Sequence, residues 1–186
     1  MYTGILNADH TTNPLAGEHQ QTERALREAG LPFTALRNGW YTENYTDRLT
    51  HYVEAGEIVG AAGHGRISAA SRQDYAAAAV AALLQNSEGN RTYELGGPAF
   101  DLFELAETIT RITGTNVRYR DLSLDEYVEE LKRSGLDEKA AEFVAALDAS
   151  ISRGDLETHS QDLERLLERP TTSLADVIRS THDQRV

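Results

Sequence analysis

Cysteine is absent from all 186 residues. That excludes disulfide frameworks, thiol nucleophiles and cysteine-ligated zinc, and it suits a reducing compartment, here expected to be the cytoplasm. Long apolar runs are missing too. None approaches the ~18–20 residues that span a bilayer, and residues 1–9 lack the basic region and cleavage site of a signal peptide. Positive charge is scarce: 18 Lys and Arg stand against 30 Asp and Glu, for a net charge of −12. A chain so acidic is poorly suited to phosphate backbones, so neither nucleic acid nor membrane is expected as a partner. His10, His51, His64, His159 and His182 show no metal-ligand spacing, and no metal site is assigned. No G-x-S-x-G elbow suggests a hydrolase.

What is present alternates between strand-like and helix-like segments. Residues 2–8 read as an apolar strand. Asn13 and Pro14 then open a helix that Gly30 and Pro32 close near residue 29. Residues 33–37 form the next strand, and strand–helix–strand over about 35 residues is the size of one parallel crossover. A helix is expected over 41–55. Short strands at 57–61 and 66–70 would flank a hairpin turn at Gly63-His64-Gly65. Ser71 and Asp74 signal the cap of an alanine-rich helix over 75–84, and 91–95 is a further strand. Past residue 95 the pattern becomes mainly helical, with capping boxes at Asp101/Glu104 and Ser123/Glu126, a strand over 117–120, and breaks at Gly135, Gly154 and Pro170.

The expected architecture is therefore α/β: the carboxyl-terminal part of a Rossmann-like parallel sheet (residues 1–95), followed by a small, mainly helical domain (96–186). Only three segments qualify as buried parallel strands. A strand at 2–8 would lie beside nothing that precedes it. Either an upstream segment is missing, or a second copy covers that edge in a homo-oligomer, or the sheet is small; the first is expected. No G-x-G-x-x-G follows any strand, so the pyrophosphate-binding half of a dinucleotide fold is not encoded here.

Two groups could carry chemistry. On the first helix Leu15, His19, Thr22, Leu26 and Ala29 share one face, with Glu23 within reach of His19. His19 is either a catalytic proton donor or ligand contact, or a buried histidine bonded to Glu23 or backbone. The second group, Asn38, Gly39, Trp40, Tyr41, Thr42 and Glu43, follows a strand directly, where ligands of open α/β sheets sit. Tyr45 and Trp40 offer aromatic surface to a flat substrate. Arg72 and Asp74 are a site pair or, more simply, cap and surface charges.

These residues resemble a known family. Residues 2–9 (Y-T-G-I-L-N-A-D), Glu18-His19 with Thr22-Glu23, and the block L-R-N-G-W-Y at 36–41 with Glu43-Asn44-Tyr45 are similar to the NmrA-like atypical short-chain dehydrogenase/reductases, especially their NAD(P)H:quinone oxidoreductase branch. The resemblance implies a Rossmann-like domain for NADPH or NADH, a helical substrate-side domain (96–186) over a substrate cleft, and hydride transfer to a quinone. Residues 38–43 match the family's loop beside the nicotinamide. The alternative within the family is a non-catalytic redox-sensing or ligand-binding module. This chain departs from the pattern in having His19 and Glu23 where ordinary short-chain enzymes place a Tyr-x-x-x-Lys pair, and Gly4 where related proteins commonly show serine.

Overall fold

The computed structural model describes residues 1–85 and 89–184. Its first half builds a three-stranded, all-parallel sheet from β1 (Tyr2–Ile5), β2 (Thr34–Asn38) and β4 (Arg91–Leu95), in the order β1-β2-β4. α1 (Ala16–Glu28) lies on one face of this sheet. On the other face, α4 (Arg72–Leu84) and α8 (Asp162–Leu167) enclose Leu36, Tyr75, Ala78, Leu95, Leu163 and Leu166. Alanine at Ala78 and Ala82 keeps that side of α4 thin enough to seat against its neighbours. The only strand recorded beside β1 among the described residues is β2.

The first strand is shorter than 2–8. It ends at Ile5, and although the Leu6 amide still donates to the Asn38 carbonyl, Asn7 turns the backbone left-handed at φ 57°. The Asn7 amide donates to Glu94, and its side-chain amide donates to the carbonyls of Asp155 and Glu157. Asn13 does not cap α1 directly. Leu15 occupies that position, while the Asn13 side chain accepts from the Leu15 amide and donates to Ser150. Gly30 ends the segment with φ 65°, as expected of its missing Cβ.

The second half is organised around a different pairing. β3 (Glu57–Gly60) runs parallel to β5 (Arg118–Asp121), not antiparallel to its neighbour in sequence. Residues 66–70 form no regular strand. Ile67 bridges Phe100 and Ala70 bridges Tyr41. The expected hairpin therefore does not form; a Cβ at Gly65 would collide with the Ile151 carbonyl, which places this turn against the end of a helix instead. The helix expected over 41–55 is two pieces, α2 (Glu43–Thr46) and α3 (Leu49–Ala55), with the chain leaving helical geometry at Arg48.

α5 (Leu102–Thr113), α6 (Leu124–Arg133), α7 (Glu138–Ser152) and α9 (Leu174–Asp183) complete the chain. Both capping boxes form with reciprocal bonds, and Ser71 accepts from the Asp74 amide. Tyr52, Ile58, Ile67, Leu105, Ile109 and Ile178 anchor the core of this half, each burial contributing about 1.5–3 kcal/mol for a full-sized apolar side chain. Asp74 is not a surface charge. It is 0% exposed, receives Arg169 and the Thr172 amide, and so ties the carboxyl-terminal segment to α4. Among the described residues no helix is long and apolar enough to cross a membrane.

Candidate functional site

At the carboxyl ends of β2 and β4 the chain turns outward through residues 38–43. Gly39 makes the turn possible: a Cβ there would run into the Ser68 carbonyl oxygen, and its amide donates to the Leu95 carbonyl at 2.7 Å. Asn38 precedes it. The Asn38 side-chain oxygen is buried and has no hydrogen-bond partner among the described residues. Such an orphan costs roughly 1–3 kcal/mol of desolvation unless something outside the chain satisfies it.

The remaining residues of the loop divide in two. Tyr41 packs edge-on to Tyr75, with the Arg72 guanidinium 5.3 Å from its ring. Thr42 is buried and its amide donates to the Ala70 carbonyl. Both Glu43 oxygens accept from the Arg72 amide, at 2.9 and 3.1 Å, so this carboxylate caps α4. These three hold the loop against residues 70–72. Trp40 turns the other way and, with Tyr45, lines a cavity of about 140 Å³.

That cavity lies between α2, α3, β3, α6 and α7. Its wall includes Trp40, Tyr45, Tyr52, Tyr127 and Asp148, with Arg48 and Asn44 beside them. Burial pushes the phenols of Tyr45, Tyr52 and Tyr127 up, so they keep their protons. Burial also pushes the Asp148 carboxyl up, to about 6, although the Ala61 amide donating to it at 2.7 Å and the charge of Asp121 act on it too, in opposite directions. A group poised there takes either protonation state near neutrality.

His19 is placed elsewhere. It is partly buried and shares a hydrogen bond with the Tyr2 hydroxyl at 2.7 Å, at the opening of β1. Asn38 pairs with Ile5, three residues further along that strand, so the two sequence-predicted groups are not brought together. The face of α1 shared by Leu15, His19, Thr22, Leu26 and Ala29 is largely outward, with Leu15 40% exposed; Ala16 and Glu23 are the buried residues. Arg37 is the reason. This side chain is 3% exposed on the same sheet face, and Glu23, 1% exposed, meets it with two bonds of 2.8 and 2.7 Å. Asp9 and Glu94 complete the pairing and Arg27 adds a second cation to Glu23. Glu23 therefore serves Arg37 and not His19. A Cβ at Gly4 would lie 3.3 Å from a Glu23 oxygen.

Asp148 and Tyr127 carry no motif, and sequence reasoning missed them. A signal existed for Asp148. It lies three residues after Ala145 and seven after Ala141, both buried, and so falls on the apolar stripe of α7.

A parallel sheet flanked by helices, with a loop and a cavity beyond its carboxyl ends, is a Rossmann-like arrangement, and these residues match the carboxyl-terminal portion of the fold of solved NADPH-dependent reductases. The chain is closely homologous to quinone oxidoreductase 2 of Escherichia coli, at 40% identity over 178 residues, 95% of this chain and 62% of that protein. It is 30% identical over 165 residues to an NmrA-like family domain-containing oxidoreductase of Aspergillus flavus, covering 87% of this chain and 53% of the relative. The solved structure of the E. coli NADPH-dependent quinone oxidoreductase with NADPH superimposes with a TM-score of 0.92 at 39% identity, over 97% of this chain and 64% of that one. Citrobacter sp. triphenylmethane reductase with NADP(H) gives 0.90 at 32%, with 97% and 64% covered. The chain thus spans less than two thirds of each of these relatives. No family model matches it.

Proposed function

We propose that this chain forms the nicotinamide-facing and acceptor-binding part of an NAD(P)H-dependent quinone reductase. The observation that carries the reading is the buried, unpartnered Asn38 oxygen at the strand ends, next to the glycine turn that leads Trp40 into an aromatic cavity. An acceptor oxygen in that position suits the N–H2 of a nicotinamide carboxamide. Bound there, a reduced nicotinamide would supply a hydride. The chain's own work is to bind and orient: Asn38 and the Gly39 backbone toward the cofactor, Trp40 and Tyr45 toward a flat acceptor, and Tyr41, Thr42 and Glu43 as the brace that fixes the loop. On this reading residues 1–95 belong to the cofactor side and 96–186 to the acceptor side, with β3 completing the small sheet of the latter. His19 is kept as a candidate proton-handling group of secondary rank. The residues present fit the nicotinamide end alone, because the sequence holds no glycine-rich turn for the pyrophosphate.

The test is to fuse ahead of Met1 the part of the E. coli relative that this chain does not span, and to follow NADPH oxidation by a quinone. A folded fusion should turn over at least 100-fold faster than the 186-residue chain alone. A folded fusion that binds NADPH yet reduces no quinone would favour the ligand-binding module instead.

A further inference from the structure

The cavity behind Trp40 is polar in an incomplete way. One Asp148 oxygen accepts the Ala61 amide, and no hydrogen bond to the other is recorded among the described residues. No hydrogen bond within the protein is recorded for the hydroxyls of Tyr45, Tyr52 and Tyr127, on the same wall, among the described residues. Polar groups that find no partner in the protein yet converge on one space open to solvent suit a ligand or ordered water there. The space is small and open on one side. At about 140 Å³ it matches the size of engineered apolar cavities, ~150 Å³, that accept one benzene ring. Aromatic walls suit a flat guest.

We propose that this cavity binds a single six-membered ring bearing oxygen, a phenol or a quinone-type carbonyl, with that oxygen hydrogen-bonded to the carboxyl group of Asp148. The proposal deepens the reductase reading by naming the acceptor's size and its anchor. A fused two-ring compound would leave its second ring outside the space. Asp148 can meet both redox forms of such a ring, because its carboxylate accepts from a phenolic O–H and its neutral acid donates to a carbonyl. The titratable and charged groups facing Asp148 are Tyr45 from α2, Arg48 before α3, Tyr52 from α3, Tyr119 and Asp121 from β5, and Tyr127 from α6. Burial holds the tyrosines protonated, and Asp148, at about 6, changes charge across the neutral range.

The experiment is calorimetry on the 186-residue chain with phenol, 4-pyranone (a ring carbonyl without an O–H) and 1-naphthol, repeated from pH 5 to 7.5. The fluorescence of Trp40, the only tryptophan, serves as a second readout. One saturable site is expected for the two small rings, with 1-naphthol at least tenfold weaker. Phenol should bind at least threefold tighter at pH 7.5 than at pH 5, and 4-pyranone at least threefold weaker. Asp148→Asn, which donates and accepts at every pH, should abolish both slopes. The proposal is overturned if neither small ring saturates, if the two slopes share a sign, or if they survive in Asp148→Asn. The wild-type slopes decide the matter even if the variant fails to fold. No arm contains nicotinamide, so ring binding can succeed while the fusion reduces nothing, or fail while it does.

Discussion

Two carboxylates in this molecule, Glu23 fully buried and Asp148 half-buried, are left in opposite conditions. Glu23 lies under α1 with two guanidinium groups on it, and every bond it makes is to a charge of the other sign. Asp148 lies under α7 with a single backbone amide and a ring of phenols, and its nearest acidic neighbour, Asp121, repels it. The Arg37 guanidinium holds the Glu23 carboxyl below the usual range despite burial, whereas burial holds Asp148 above it. The first arrangement is complete within the chain and fixes how helix and sheet sit together. The second leaves one oxygen without a recorded partner among the described residues, which is what the proposed ring site requires.

The comparison breaks most readily at Arg37. Replacing Arg37 by Met strands a buried Glu23 with only the half-exposed Arg27, and removal of one partner of a buried pair typically costs ~3–5 kcal/mol. Urea unfolding at pH 7 should show a loss of that order. Asp9, 65% exposed, is a lesser part of the set. The pH dependence has a definite sign. Glu23 and Asp9 have folded values below their unfolded 4.5 and 3.8, so their stabilisation is present above those values and lost as pH falls through the depressed folded ones. Arg37→Met should flatten this acid limb. A variant as stable as the wild type, with the limb unchanged, would mean that the cluster does not organise α1.

Local chemistry was the legible part of this molecule. Ser71, Asp101 with Glu104, and Ser123 with Glu126 form the caps that their spacing announces, and Arg91–Leu95 is the strand expected. Each of those caps is satisfied within four residues of itself, and the strand then needs only β2 beside it. The partner of β3 is not: Glu57 finds Arg118, and two strands adjacent in sequence make a hairpin only if nothing more distant pairs better. The face of α1 was misjudged for a related reason. Hydrophobic spacing selects Leu15 and Leu26, but a buried arginine on β2 outweighs them by requiring a carboxylate above it. The loop at 38–43 was legible as a location, through its place after a strand and through Trp40. Its division into brace and cavity wall depends on Arg72 and Ala70, which no local pattern connects to it.

The comparison is sharpened from the other side by Asp148→Asn. A carboxyl whose folded value is raised, here from 3.8 to about 6, contributes stability that is full below the unfolded value and lost as pH rises through the folded one. The wild type therefore carries a penalty above about pH 7 that an amide does not. Two units of displacement set an upper scale of ~3 kcal/mol, reduced by the weaker bond from Ala61 to a neutral acceptor. Thermal melting should show the variant more stable by about 1–2 kcal/mol at pH 8 and level with the wild type at pH 4. Equal stability at both pH values would return Asp148 to the ordinary carboxylates, and the contrast with Glu23 would vanish.

The smallest effect belongs to His19, and its value is in deciding which of the two regions that residue serves. The one side-chain hydrogen bond recorded for it among the described residues, to Tyr2, is partly exposed, so His19→Gln should cost only ~0.5–1 kcal/mol in urea unfolding. Tyr2 stands at the beginning of β1, Asn38 pairs with its end, and the cavity wall draws nothing from α1. Phenol binding by the 186-residue chain should therefore be unchanged in His19→Gln, and turnover of the fused reductase should fall by less than threefold. A hundredfold fall in turnover with folding intact would place His19 among the groups that handle the proton, and would move the chemistry from the cavity under α7 to the sheet face under α1.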